Sequence, residues 1–328
     1  MKVGVLQFFG WRDRSVPLED IYARALERIE IMDKTGYDAV WLAEHHFSSY
    51  SVCPSVHLMA MQVAARTKRL RIGTAVTLAA FYHPLRIAEE IALVDVLSGG
   101  RINWGAGRGF DPVEFANFGI TSEESADRFR EAVDIVLGAW NNERLTYEGK
   151  FNSYKEVEVL PKPAQTPHPP VWMAASSEGA LDWAADEGHA ILMDPHSAHD
   201  EIARKQRYYE ERHAATHGNT PTADRPIARL VALGETEEEA RLVAERGAQF
   251  SGRYLPKAAV AAFRSDKQPT EPADHYMDGV IVYGTPESVV RQFKELEEEL
   301  PLNYLLLSPL SEKTFDLFTE KVLPHLIN

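Results

Sequence analysis

The chain has 328 residues, 45% of them apolar and 26% charged, with a formal net charge of −14. That composition is ordinary for a globular protein, and the acidic balance lacks the clustered basic face that a phosphate-backbone partner needs. One cysteine, Cys53, excludes an intramolecular disulfide and gives no sign of an oxidising compartment.

Met1-Lys2-Val3-Gly4-Val5-Leu6 turns polar at Gln7 and has no small-residue cleavage site, so no signal peptide is expected. No apolar run reaches the roughly 18–20 residues of a membrane span. A soluble, cytoplasmic protein with no nucleic-acid and no membrane partner is the expectation. The densest basic stretch, Arg66-Thr67-Lys68-Arg69-Leu70-Arg71, and the acidic stretches 235–239 and 295–299 read as solvated helix faces.

Short apolar runs alternate with longer amphipathic ones. Residues 3–7 predict a strand. Residues 18–34 carry Ile21, Ala25, Ile29 and Met32 at helical spacing. Gly36 stops that helix, and 38–42 predict a second strand. A helix over 54–65 precedes a strand over 70–78. Pro84 opens a helix over 85–97, where a missing N–H is no loss, and Gly99-Gly100 end it. Residues 101–106 predict the fourth strand. The helix over 122–140 is entered by Thr121-Ser122-Glu123-Glu124, acidic where the helix dipole favours acid. Residues 143–161 predict an inserted hairpin with Gly149 at its turn. Strands over 170–174, 189–193 and 227–233 then alternate with helices over 178–187, 198–217 and 236–249. Residues 251–279 break the rhythm. They hold Pro256, Pro269 and Pro272 with Lys257, Arg264, Lys267 and His275, and read as an inserted loop placed to act as a lid. A helix over 287–299, a strand over 303–307 and a helix over 311–326 follow.

Eight strand–helix alternations imply parallel strands with crossover helices. Eight units suit a closed α/β barrel, the (β/α)8 TIM barrel, better than an open sheet. The prediction is one domain over 1–328 with insertions near 143–161 and 251–279.

In such a barrel, chemistry sits at the carboxyl ends of the strands. His45-His46 follows the second strand. Adjacent residues of an extended segment point opposite ways, unlike the spacing of zinc ligands, and no metal is expected. One histidine suits a buried, hydrogen-bonded place, and the other can face the mouth as a general base or oriented donor. His213 and His217 lack the intervening Glu of a metalloprotease helix and read as a solvated face. Gly105-Ala106-Gly107-Arg108-Gly109 departs from the G-x-G-x-x-G spacing, and no ribose-binding acid follows it. Its glycines would let backbone approach a flat ligand, with Arg108 as a fork for a phosphate. The alternative is a tight turn whose arginine pairs with a local carboxylate. Ala174-Ala175-Ser176-Ser177-Glu178-Gly179 starts a helix whose N–H groups and hydroxyls suit a phosphate, and N-capping by Ser176 or Ser177 explains the same residues. Phe8, Phe9, Trp11, Phe47 and Phe81 are either an apolar mouth or ordinary core.

Trp41-Leu42-Ala43-Glu44-His45-His46-Phe47 resembles the strand-two signature of the bacterial luciferase-like flavin monooxygenases. So do Arg71-Ile72-Gly73-Thr74-Ala75-Val76, His83-Pro84-Leu85-Arg86-Ile87-Ala88-Glu89-Glu90, Leu97-Ser98-Gly99-Gly100-Arg101 with the 105–109 loop, and Gly284-Thr285-Pro286-Glu287. The resemblance implies a luciferase-like barrel binding reduced FMN (FMNH2), supplied by a separate NAD(P)H-dependent flavin reductase. Dioxygen would add at the flavin C4a, giving a peroxide that oxidises a small organic substrate. The resemblance makes His45 the catalytic acid/base and His46 structural. It puts a non-proline cis peptide, pressing on the flavin ring, at Ala75–Val76, and gives the phosphate contacts to Arg108, Ser176 and Ser177. Glu44, His46, Thr74, Gly107 and Ala174 complete the implied flavin set. The luciferase α chain has a Cys and a Glu where this sequence has Gly107 and Ala175, so light emission is not implied. Two rivals are open: an enzyme using deazaflavin F420 for hydride transfer, and a flavin-binding relative without catalysis. A homodimer through 54–65 and 85–97 is also implied.

Overall fold

The computed structural model describes residues 1–218, 224–255, 257–300 and 302–327; Pro256 lies outside them. In chain order the elements are β1 (Lys2–Gln7), α1 (Leu18–Lys34), β2 (Ala39–Leu42), α2 (Val56–Arg66), β3 (Arg71–Thr74), β4 (Thr77–Leu78), α3 (Pro84–Ser98) and β5 (Ile102–Gly107). Next come α4 (Pro112–Phe118), α5 (Ser122–Asn141), β6 (Leu145–Glu148), β7 (Ser153–Val157), β8 (Val171–Ala174), α6 (Glu178–Asp186), β9 (Ala190–Leu192) and α7 (His199–His217). The remainder is β10 (Pro226–Leu233), α8 (Glu237–Gly252), α9 (Lys257–Val260), α10 (Pro272–Gly279), β11 (Val282–Gly284), α11 (Pro286–Glu299), β12 (Tyr304–Pro309), α12 (Glu312–Leu317) and α13 (Leu323–Leu326). They fall into two compact units. The first comprises Met1–Leu6, Thr35–Asp38 and Ala175–Asn328, and the second Gln7–Lys34 and Ala39–Ala174.

In the second unit β2, β3, β5 and β8 run parallel in that order, with Trp41 opposite Gly73, Gly73 opposite Asn103 and Gly105 opposite Trp172. Every residue of β2 and β5 is buried, as expected of parallel strands covered on both faces. Ser55 caps α2 by accepting from Leu58 N–H. Pro84 opens α3 and Gly99, at φ +74°, closes it in the left-handed conformation. Thr121 and Glu124 form a full capping box on α5. The hairpin β6–β7 is antiparallel, as predicted. The strand predicted over 70–78 is two strands, with the cis Ala75–Val76 peptide between them. The short helix α4 was not anticipated. Of the basic stretch, Arg66, Lys68 and Arg69 are exposed, whereas Arg71 is drawn inward onto Asn103 and Gln165.

In the first unit β10 pairs in parallel with β11 and β12, and β12 with β1. Met193, just past β9, bridges to Ile227 of β10. Leu230 and Ala232 pack on Ala244 and Ala248 of α8, with Val260 and Tyr276 in the same cluster. Residues 251–279 are not the predicted loop. They hold α9, a turn of 3-10 helix at Ala261–Phe263, and α10, which Pro272 opens rather than breaks. A further strand, β11, follows. His213 is also corrected: it is buried against Tyr209 and His217, on the face of α7 that packs inward. Glu235, Glu238, Glu295 and Glu298 are exposed as expected. Among the described residues no helix is long and apolar enough to cross a membrane.

Candidate active site

Strand β2 delivers Glu44, His45 and His46 at its carboxyl end, and Ala43 N–H anchors that end to Gln7 O. Each histidine meets a buried carboxylate. His46 Nε2 lies 3.0 Å from Glu44 Oε1, and His45 Nδ1 3.3 Å from Glu114 Oε1. The same Glu114 oxygen accepts the His46 backbone N–H at 2.9 Å. A carboxylate can only accept, so the His45 proton sits on Nδ1 and Nε2 is left as the basic nitrogen. Among the described residues that Nε2 has no hydrogen-bond partner.

Sequence reasoning missed Glu114. It lies on α4, whose seven residues are too few for a periodic signal. The available cue was Asp111-Pro112, an N-cap acid followed by proline at the first helical position. Asp111 does cap the helix, accepting from Val113 N–H at 2.8 Å. His57 was missed as well: its Nδ1 is 2.8 Å from Glu90 Oε2 and its Nε2 3.1 Å from Thr77 Oγ1.

The surroundings are aromatic. The His45 ring lies 5.1 Å from Tyr50, 6.0 Å from Phe110 and 6.3 Å from Phe8. His46 meets the Phe118 ring edge-on at 4.8 Å, and Phe118 stacks on Phe81 at 4.9 Å. The predicted aromatic set therefore divides. Phe9 is core, Phe8, Trp11 and Phe81 are half-buried, and Phe47 is exposed. A pocket of about 490 Å³ opens beside His46, Phe81, Phe118, Tyr82, Arg86 and Glu90. Glu44 Oε2 is buried and has no hydrogen bond among the described residues. Burial, then the Glu44 charge, pushes the Tyr82 phenol up, and the same two causes push the Cys53 thiol up to about 12.

The turn between β3 and β4 reaches β5. Thr74 Oγ1 donates to Gly105 O at 2.7 Å and accepts from Gly105 N–H at 2.9 Å. A Cβ on Gly105 would stand 2.0 Å from Thr74 O, and one on Gly107 2.5 Å from Val76 Cγ2 and 3.4 Å from Ala174 Cβ. Gly105 and Gly107 thus make room for the protein's own chain. Arg108 is exposed, with Nη1 3.5 Å from Ser125 Oγ. Among the described residues it pairs with no carboxylate, so the tight-turn alternative lacks its acid. Ser176 and Ser177 belong to the other unit and are exposed. Ser177 is the N-cap of α6, but its side chain makes no capping hydrogen bond.

Residues 1–302 match the family model described as luciferase-like monooxygenase. Limonene 1,2-monooxygenase of Rhodococcus erythropolis is 26% identical over 320 residues, covering 92% of this chain and 80% of that protein. The oxygenating constituent of 3,6-diketocamphane monooxygenase from Pseudomonas putida, solved in complex with FMN, matches with a TM-score of 0.83. Its identity is 18%, over 100% of this chain and 99% of that one. Coenzyme F420-dependent tetrahydromethanopterin reductase from Methanopyrus kandleri matches with a TM-score of 0.79 at 18% identity, over 99% of each chain. These likenesses establish the predicted fold, a luciferase-like barrel of the TIM type.

Proposed function

We propose, from the premise that this chain belongs to the luciferase-like monooxygenase family, that it is the oxygenase component of a two-component system. In this reading a separate reductase supplies FMNH2, and the enzyme uses it with dioxygen to oxidise a small organic substrate. The observation that carries the reading is His45, held through Nδ1 by buried Glu114 with Nε2 left basic.

Two features of the site fit a flavin. Glu44 Oε2 is a buried acceptor with no hydrogen bond, and Arg108 presents a guanidinium that no carboxylate neutralises among the described residues. Arg108 would hold the phosphate; Ala75 and Val76 would back the ring; Glu44, His46, Thr74, Gly107 and Ala174 would line it. The bound flavin would supply the electrons that activate dioxygen. His45 Nε2 takes a proton from the reacting group and returns it, and Glu114 keeps the ring in the orientation and tautomer this needs. Phe8, Tyr50 and Phe110 keep water from the ring. Ser176 and Ser177 are carried forward as further phosphate donors, tested separately by Ser177→Ala. Such an enzyme works where NAD(P)H and its reductase are found, in the cytoplasm.

The test is His45→Ala. It should retain FMN affinity while product formation falls and oxygen uptake is diverted to hydrogen peroxide; unchanged product formation overturns the role. The F420 rival draws on fold likeness to the reductase, and it predicts turnover without oxygen. A non-catalytic relative would bind flavin and turn nothing over. We also propose a homodimer through α2 and α3, which expose Leu58 (73%), Leu97 (59%), Leu93 and Val96. A monomer by light scattering would contradict it.

A further inference from the structure

Leu230 and Ala232 of β10 face α8. Side chains alternate along a strand, so Arg229 turns to the opposite face, where it is wholly buried. Its Nη1 donates to Ser197 O at 2.9 Å, and among the described residues its Nε and Nη2 have no partner. Ser197 belongs to the turn that leads from β9 into α7. The acid of that turn, Asp194, has its oxygens engaged: Oδ1 accepts from His196 N–H at 2.8 Å and Ser197 N–H at 2.7 Å, and Oδ2 from Ser197 Oγ at 2.9 Å. Glu201 is held by Arg204, Lys205 and Lys267.

Two imidazoles flank the same turn. His275 Nε2–H donates to His196 O at 2.7 Å, which leaves its buried Nδ1 an acceptor, without a partner among the described residues. His199, the first residue of α7, also buries an unpartnered Nδ1. The N-cap of this 19-residue helix is Ala198, which has no side chain to cap with, while Asp200 and Glu201 stand in its first turn. Buried donors are expensive to leave unmet. The Asp194 charge acts on Arg229, but its oxygens are engaged elsewhere, so the two guanidinium donors still call for acceptors.

We infer that the first unit carries an interior site for a small oxyanion, bound by Arg229 through Nε and Nη2 beside His199 at the start of α7. Burial, then Arg229, pushes His199 down to about 3, and burial, opposed by the Asp194 charge, lowers Arg229 to about 10, which leaves the guanidinium charged at neutral pH. A planar carboxylate or a tetrahedral inorganic oxyanion both present the paired acceptors that two adjacent guanidinium donors take.

The test uses the full chain without flavin, so its failure would leave the flavin reading standing. The protein is titrated with sodium acetate and with sodium phosphate at constant ionic strength held by sodium chloride, following melting temperature and heat of binding. A saturable response to acetate alone assigns an organic carboxylate, to phosphate alone an inorganic oxyanion, and to both an oxyanion site of either kind. Arg229→Lys keeps the charge but loses the fork, and should weaken binding roughly ten- to a hundredfold; His199→Ala should weaken it less. Arg229→Gln is the sharper variant, and Arg229→Lys stands in for it if the buried substitution does not fold. No saturable response beyond chloride in the wild type, or an unchanged response in Arg229→Lys, overturns the inference.

Discussion

Two histidine-bearing turns differ in what surrounds them. After β2, His45 and His46 each meet a buried glutamate, and the set closes around one basic nitrogen. At the start of α7, His199 and His275 bury unpartnered Nδ1 atoms beside an arginine with two unused nitrogens. The same residue type serves opposite ends. Where the fold supplies acceptors, an imidazole is oriented for proton transfer. Where it leaves guanidinium donors without acceptors, the site is open to an anion.

The strongest way to break this contrast is to remove the oriented imidazole. His45→Ala should lower product formation by about 10²–10⁴-fold, with hydrogen peroxide rising in proportion, measured by chromatography and a peroxide assay on a substrate the wild type converts. Glu114→Gln keeps the shape but not the acceptor-only partner, and should cost about ten- to a hundredfold in turnover with FMN affinity unchanged. Arg108→Ala should weaken FMN binding roughly tenfold, read by fluorescence titration, without moving the melting temperature, because the side chain is exposed.

These variants also separate what was legible from what was not. His45 and Arg108 were visible because each lies in a short, recognisable motif at a strand end. The position of the cis peptide at Ala75–Val76 was visible for the same reason. Glu114 was not, because it meets the backbone N–H of His46 across 68 positions, and no local pattern encodes that choice of partner. His57 is linked to Glu90 across 33 positions and was hidden likewise. In 251–279 the prolines suggested a loop, but Pro272 occupies the first turn of α10, where proline is at home. Strand β11, with three residues, is too short to show an alternation.

Two further predictions sharpen the local account. Gly105→Ala should destabilise the protein by about 3 kcal/mol in urea unfolding, because the new methyl meets the fixed carbonyl of Thr74 rather than a movable side chain. The smallest effect is expected at Cys53. Its thiol, buried and pushed up to about 12, is protonated at neutral pH, so a thiol reagent should leave the native protein unmodified and react only after unfolding.

The central claim concerns which cofactor and which oxidant the oriented His45 serves. It is tested most directly by comparing turnover of one substrate with FMNH2 and with reduced F420, each in the presence and absence of dioxygen. Turnover with FMNH2 that stops when oxygen is removed, and that His45→Ala uncouples to hydrogen peroxide, is the predicted result. Turnover with reduced F420 that proceeds without oxygen would contradict it.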